Sequence, residues 1–160
     1  MLKHNDNTRF RPASTEDAGV LTTLINHAGE GLPVYLWARM AGPGESPWAI
    51  GRARAVRETG SFSYRNAMIA ETEGRVAGTL IGYAIGDEPE PVTDMPPMFV
   101  PLQELENLAL GTWYVNVLAV LPEFGNLGLG STLLDRAEAV GHALGKHGMS
   151  IIVSSANHGA

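Results

Sequence analysis

The chain contains no cysteine. That absence excludes a disulfide scaffold, a thiolate nucleophile, a Cys-ligated zinc and an iron–sulfur cluster. No stretch approaches the roughly 18 consecutive apolar residues of a membrane span, so no membrane association is expected. Met1 to Arg11 is polar and lacks an apolar h-region, so no secretory signal is expected, and the cytoplasm is the expected compartment. Basic residues are scarce in the second half. Residues 1–75 carry nine Lys/Arg against eight Asp/Glu, a net +1, whereas residues 76–160 carry two, Arg136 and Lys146, against nine acids, a net −7. An acidic half repels phosphate backbones, so nucleic acid is not an expected partner. A phosphate ligand bound there must rely on backbone N–H groups.

What is present is an ordinary globular composition. The 160 residues are 44% hydrophobic and 18% charged, which suits one domain over residues 1–160. A chain of this size buries roughly 68–70% of its unfolded surface and needs no metal staple. Five histidines occur without ligand spacing, so no metal is expected. No Gly-x-Ser-x-Gly elbow is present, which argues against a serine hydrolase.

Thr8 to Pro12 reads as a first strand. Ser14-Thr15-Glu16-Asp17 has the form of a capping box, and Ala18, Leu21, Leu24, Ile25 and Ala28 recur at helical spacing up to Gly29 and Gly31. Val34 to Met40 is a second apolar segment. Ser46-Pro47 fits an N-cap and first helical position, predicting a helix to about Glu58 with Arg52, Arg54 and Arg57 on its wet side. Asn66–Glu71 and Arg75–Ile85 flank the turn Thr72-Glu73-Gly74 and predict an antiparallel hairpin. Residues 86–101 hold five prolines and four acids and predict a long loop, of a kind that is often functional; a short helix follows over Leu102–Leu110. Thr112–Leu121 is apolar on both faces and predicts a central strand. An amphipathic helix is expected over Ser131–Leu144, with Leu133, Ala137, Val140 and Leu144 on one face, then a buried strand over Met149–Val153.

Between the central strand and that helix lies Pro122-Glu123-Phe124-Gly125-Asn126-Leu127-Gly128-Leu129-Gly130-Ser131. A helix N-terminus presents N–H groups without intrahelical partners, and glycines let an anion approach the backbone. Strand, glycine loop and helix can therefore cradle phosphate without a basic side chain. The other reading is a tight turn that uses glycine for geometry alone. A Walker A loop would need Lys before Ser131, where Gly130 stands, and a Rossmann fingerprint would need an acid where Val153-Ser154-Ser155 occur.

Leu118-Ala119-Val120-Leu121-Pro122-Glu123-Phe124, then Gly128-Leu129-Gly130, then Ser131-Thr132-Leu133-Leu134 resemble the core motif of the GCN5-related N-acetyltransferases. The resemblance runs in element order from Thr8 onward. It is sharpest over Val115–Leu134 and at Asn157, which opens an Asn-x-x-Ala sequence ending at Ala160. It implies an α/β fold: a central mixed, mostly antiparallel sheet flanked by helices. It also implies transfer of an acetyl group from acetyl-CoA to a primary amine of a small molecule or a peptide. The implied cofactor-binding residues are Leu118, Ala119, Val120, Gly125, Asn126, Leu127, Gly128, Leu129, Gly130, Ser131 and Asn157. The family's Arg or Gln position falls on Gly125, which leaves pyrophosphate to backbone N–H groups. Tyr35 and Trp37 fall in the segments that form the family's acceptor wall; core packing is the other reading for both. Family members usually continue with a further helix and two strands, so the C-terminal elements are expected to be missing from this chain, and a homodimer is among the expected assemblies.

The chemistry needs a proton acceptor, because a lysine-like amine with pKa about 10.4 is neutral in only about one molecule in a few thousand at pH 7. Thr112–Leu121 contains no carboxylate. Asn116 and Tyr114 share a strand face and are the candidate catalytic pair, Asn116 as an orienting group and Tyr114 as a poor base. A hydrogen-bonded core pair is the alternative for them. A Glu from the 87–106 segment acting through water is the expected base. The missing carboxylate also leaves open a non-catalytic acyl-CoA-binding sensor or complex subunit. The six acids of residues 86–110 predict a cationic acceptor.

Overall fold

A computed structural model describes residues 7–159. Ala160, the last position of the Asn-x-x-Ala sequence, and residues 1–6 lie outside the described residues. The strands are β1 (Thr8–Pro12), β2 (Ala67–Thr72), β3 (Arg75–Ala84), β4 (Trp113–Val120) and β5 (Met149–Ile151). They form one open sheet in sequence order. The first four pair antiparallel, and β5 adds to β4 in parallel. The expected hairpin is present, and Glu73 and Gly74 turn it with φ of 55° and 74°.

The helices are α1 (Ala18–Ala28), α2 (Leu32–Met40), α3 (Pro47–Ala55), α4 (Val100–Glu106) and α5 (Leu129–Ala143). Leu21, Leu24 and Ile25 of α1, Trp37 of α2 and Ala55 of α3 pack on Ile69, Ile81, Val117 and Ala119. On the other face, Leu133 and Ala137 of α5 pack on Ala70, Leu80, Trp113 and Val115. Gly51 allows α3 to cross close to the other two helices: a Cβ there would stand 2.6 Å from Thr22 and 2.7 Å from Trp37. The capping box forms, with Ser14 N–H donating to Asp17 Oδ2 at 2.8 Å. Arg11 then clamps Asp17 through both terminal nitrogens at 2.8 and 2.9 Å and reaches Glu71 through Nε at 2.8 Å. This tie fastens the entry of α1 to β1 and β2.

Val34–Met40, read from the sequence only as an apolar segment, lies within a helix started by Pro33 near its first turn. Three other expectations need correction. The helix from Pro47 stops at Ala55 instead of near Glu58, and Arg54 is not on its wet side. The last helix begins at Leu129, two residues before Ser131. The strand expected to be buried over Met149–Val153 is only three residues long and exposed, with Met149 39% and Ile151 50% accessible. It lies at the sheet edge, paired on one side only among the described residues.

Two irregularities shape β4. Ile81 pairs with Val117 but Gly82 pairs with Val115, so Asn116 is an extra residue, a β-bulge. Trp113 and Val115 therefore face α5, whereas Val117 and Ala119 face α1. The parallel ladder with β5 covers only Trp113 to Val115. Beyond Val115 the two strands part, and that edge of β4 has no sheet partner among the described residues.

Candidate active site

Where β4 and β5 part, a cleft of about 1240 Å³ opens. Val117, Leu118, Ala119 and Val120 line it from β4, and Ile151 at the end of β5 with Ile152, Val153 and Ser154 after it from the other side. A strand edge without a partner exposes N–H and C=O groups that an extended polar ligand can pair with. The helix N-terminus closes one end. Asn126 and Gly128 take left-handed φ values of 60° and 78°, which turn the chain into α5. Phe124 and Leu129 are buried together with Ala77 and pin both ends of the turn. The first bond of the helix joins Thr132 N–H to Gly128 O at 3.0 Å. The N–H groups of Leu129, Gly130 and Ser131 precede it and have no intrahelical acceptor. Gly130 and Ser131 line the cleft, and a Cβ on Gly130 would meet no atom within 4 Å. Glycine is not required there by packing, and space for an incoming anion remains.

The other end of the cleft is more polar. Tyr83, Tyr114, Asn116, Ser61, Gln103 and Glu106 meet there. Glu106 ends α4, the short helix that follows the proline-rich loop. Tyr83 Oη lies 3.1 Å from each of its carboxylate oxygens and donates to them. Burial pushes the Glu106 carboxyl above the ordinary carboxylate range, and the Tyr83 bond pulls it partly back. Tyr83 and Tyr114, paired across β3 and β4 with ring centroids 5.4 Å apart, are both pushed well up by burial, with Glu106 adding to the effect. Both phenols thus remain protonated donors at neutral pH. Asn116 and Tyr114 do not bond to each other. Asn116 Nδ2 donates to Ser61 O at 2.9 Å, which ties the bulge to the 56–63 loop. A second cavity of about 360 Å³ lies against Tyr83 and Glu106 and is lined also by Glu88 and Glu90.

The expected site residues divide. Leu118, Ala119, Val120, Gly130, Ser131 and Asn157 line the cleft, as do Tyr114 and Asn116. Gly125, Asn126, Leu127, Gly128 and Leu129 shape the turn behind that lining. Asn157 closes a turn, its N–H on Ser154 O at 2.9 Å, instead of opening a helix among the described residues. Trp37 is 2% exposed and contributes to the cleft wall from within the core, whereas Tyr35 is 57% exposed on the outside of α2, away from the cleft. Sequence reasoning missed Ser61 and misplaced Arg54. It named Glu106 only as one acid of a segment; the signal available was its position at the end of a short helix.

An open mixed sheet, a parted fourth and fifth strand and a helix N-terminus at the parting form an arrangement that a sequence comparison can test. The model of the acetyltransferase (GNAT) family matches residues 34–160. The chain belongs to that family. No curated protein sequence matches it. Solved structures of similar fold include an acetyltransferase with 22% identity and a TM-score of 0.63, covering 94% of this chain and 83% of that one. An N-acetyltransferase from Staphylococcus aureus Mu50 follows at 17% identity and 0.61, covering 94% and 84%. The aminoglycoside N-acetyltransferase AAC(6')-Iy, solved with CoA, has 15% identity and 0.54, covering 98% and 84%. Likeness at these identities shows the GNAT fold and nothing finer.

Proposed function

We propose that the chain is an N-acetyltransferase that moves the acetyl group of acetyl-CoA to a primary amine of a small molecule or peptide. The observation that carries this reading is the continuous cleft. It joins a helix N-terminus, a strand edge without a sheet partner among the described residues and the half-buried carboxylate of Glu106. The residues fit acetyl-CoA without a basic side chain: N–H groups of Leu129 to Ser131 would hold the pyrophosphate, and the β4 edge over Val117–Val120 would pair with the amide-bearing arm. When bound, acetyl-CoA supplies a thioester carbonyl open to direct attack by an amine.

The chain's own groups then handle protons and orientation. Glu106 holds a carboxylate whose raised pKa brings it closer to that of an amine, which improves proton transfer. Tyr83 fixes both of its oxygens. Tyr114 offers a protonated Oη on the same wall. Asn116 anchors Ser61 and so sets the width of the acceptor end. Glu106, Glu88 and Glu90 favour an acceptor that arrives as an ammonium ion. Glu106 also meets the lack of a carboxylate on β4, the feature that favoured a non-catalytic sensor.

The test is release of free CoA from acetyl-CoA over a panel of primary amines, with wild type and Glu106→Gln compared. Turnover in wild type and a loss of about 10²-fold or more in the variant are expected. Tight acetyl-CoA binding with no turnover on any amine would leave the sensor reading instead.

A further inference from the structure

Arg54 of α3 and Arg57 just beyond the helix line the cleft, and Arg52 does not. Its Nε is shut off from solvent and has no hydrogen-bond partner among the described residues. The ion pairs among those residues use Arg9, Arg11, Arg65 and Arg75, and Arg54 enters none. Its guanidinium lies 5.7 Å from the Phe62 ring centroid and 5.9 Å from that of Phe99. Aromatic faces hold such a cation but do not neutralise it. Burial, and after it the charge of Arg57, pushes the Arg54 pKa down, as expected of a cation lacking a counter-charge. A guanidinium does not escape by losing its proton, so the unmet charge remains available to a ligand.

Phe99 and Glu106 stand at opposite ends of α4, seven positions apart, which is roughly 10 Å of helix. Phe99, Leu102, Gln103 and Glu106 line one wall of the cleft, so the cation and the carboxylate stand along the same wall. We infer that the acceptor amine carries a carboxylate several bonds from its nitrogen, with the ammonium directed to Glu106 and the carboxylate held by Arg54. The planar fork of arginine matches a carboxylate through two parallel hydrogen bonds. This assignment rests on the acetyl-transfer reading above and adds the second half of the acceptor.

The experiment uses matched acceptors that differ in the acidic group: triglycine against triglycinamide, and 6-aminohexanoate against hexylamine. For wild type, kcat/KM is expected to favour the acidic member of a pair by tenfold or more. In Arg54→Met that ratio is expected to fall at least tenfold, mainly through KM, and Arg54→Lys should keep part of it. Should the Met variant not fold, the Lys variant carries the comparison, with a three- to tenfold fall expected. An unchanged ratio in a folded variant, or a wild type that prefers the neutral members, overturns the inference. A preference for O-phosphoethanolamine over triglycine overturns the carboxylate in favour of phosphate. If no amine turns over, the acetyl-transfer reading fails separately. Calorimetry with triglycine and triglycinamide on the CoA-bound protein then decides Arg54: tighter triglycine binding that R54M abolishes supports it, and equal binding or none overturns it.

Discussion

Tyr83 donates its phenolic hydrogen to both carboxylate oxygens of Glu106, each 3.1 Å away. The two residues lie 23 positions apart, one in β3 and one at the end of α4. The bond favours the charged carboxylate, while burial favours the neutral acid and prevails. Removing the bond in Tyr83→Phe should raise the Glu106 pKa further. The rising limb of the kcat/KM–pH profile is therefore expected to move about 1–2 pH units higher, since one unit corresponds to about 1.4 kcal/mol and a hydrogen bond to a charged group is worth about 1.5–3 kcal/mol. A limb that stays in place would separate Glu106 from the proton transfer.

Glu106 should also make stability depend on pH. Its folded pKa is raised, so between the unfolded and folded values the folded state binds more protons than the unfolded chain. Stability is thus expected to fall as pH rises across that window. At pH 7 the carboxylate is a net cost to the fold, and Glu106→Gln should raise Tm there. Near pH 3.5, where both states are protonated, the difference should nearly vanish. Thermal unfolding of both proteins at the two pH values checks this, and an equal shift at both would contradict it.

Gly130 offers a way to block the helix end without disturbing it. Its missing Cβ would point into open space, and an acid in the first turn of a helix is favourable for the helix. Gly130→Asp is expected to leave Tm within about 2 °C of wild type or above it. The same substitution should weaken acetyl-CoA binding by about tenfold to a hundredfold, because it sets a negative charge among the proposed phosphate-binding N–H groups. Calorimetric affinity equal to wild type would mean that the turn serves geometry alone.

A Cβ on Gly82 would overlap the indole ring of Trp113, the side chain that joins β4 to α5. Trp113 is also held close to α5, its Cβ lying 3.0 Å from where a Cβ on Gly141 would stand. Gly82→Ala is expected to cost about 1–3 kcal/mol of stability or more. For a chain of this length that lowers Tm by roughly 2–12 °C, readable by circular dichroism. A Tm within 1 °C of wild type would show that the ring can shift after all.

Local patterns carried much of the fold into the sequence. The hairpin depends on Glu73-Gly74, α1 on its capping box, and the turn before α5 on the residues from Gly125 to Gly130. Each is read from neighbouring residues. The acceptor end depends on contacts between distant segments. Nothing near Arg54 signals that it meets Phe62 and Phe99, and its helical spacing from Arg57 suggested a common solvated face. The bulge at Asn116 arises from pairing with β3, and Thr112–Leu121 alone reads as one unbroken strand apolar on both faces. The exposure of β5 was hidden because its apolar residues look the same whether a second neighbour covers them or a cleft does.

The extra residue at Asn116 gives β4 two reading frames. Upstream of it odd-numbered side chains point towards α5, and downstream odd-numbered side chains point towards α1. Forcing the strand straight with all its residues kept would turn Val117 and Ala119 towards α5 and Leu118 and Val120 towards α1, so each core would receive the other's side chains. Deleting Asn116 would not do this: Val115 and Val117 become neighbours in regular alternation and keep their faces. What is lost is the bend and the amide tie to Ser61 O, and with them the shape of the acceptor end. A homologous strand grafted here without the insertion would therefore preserve both cores and lose only the cleft.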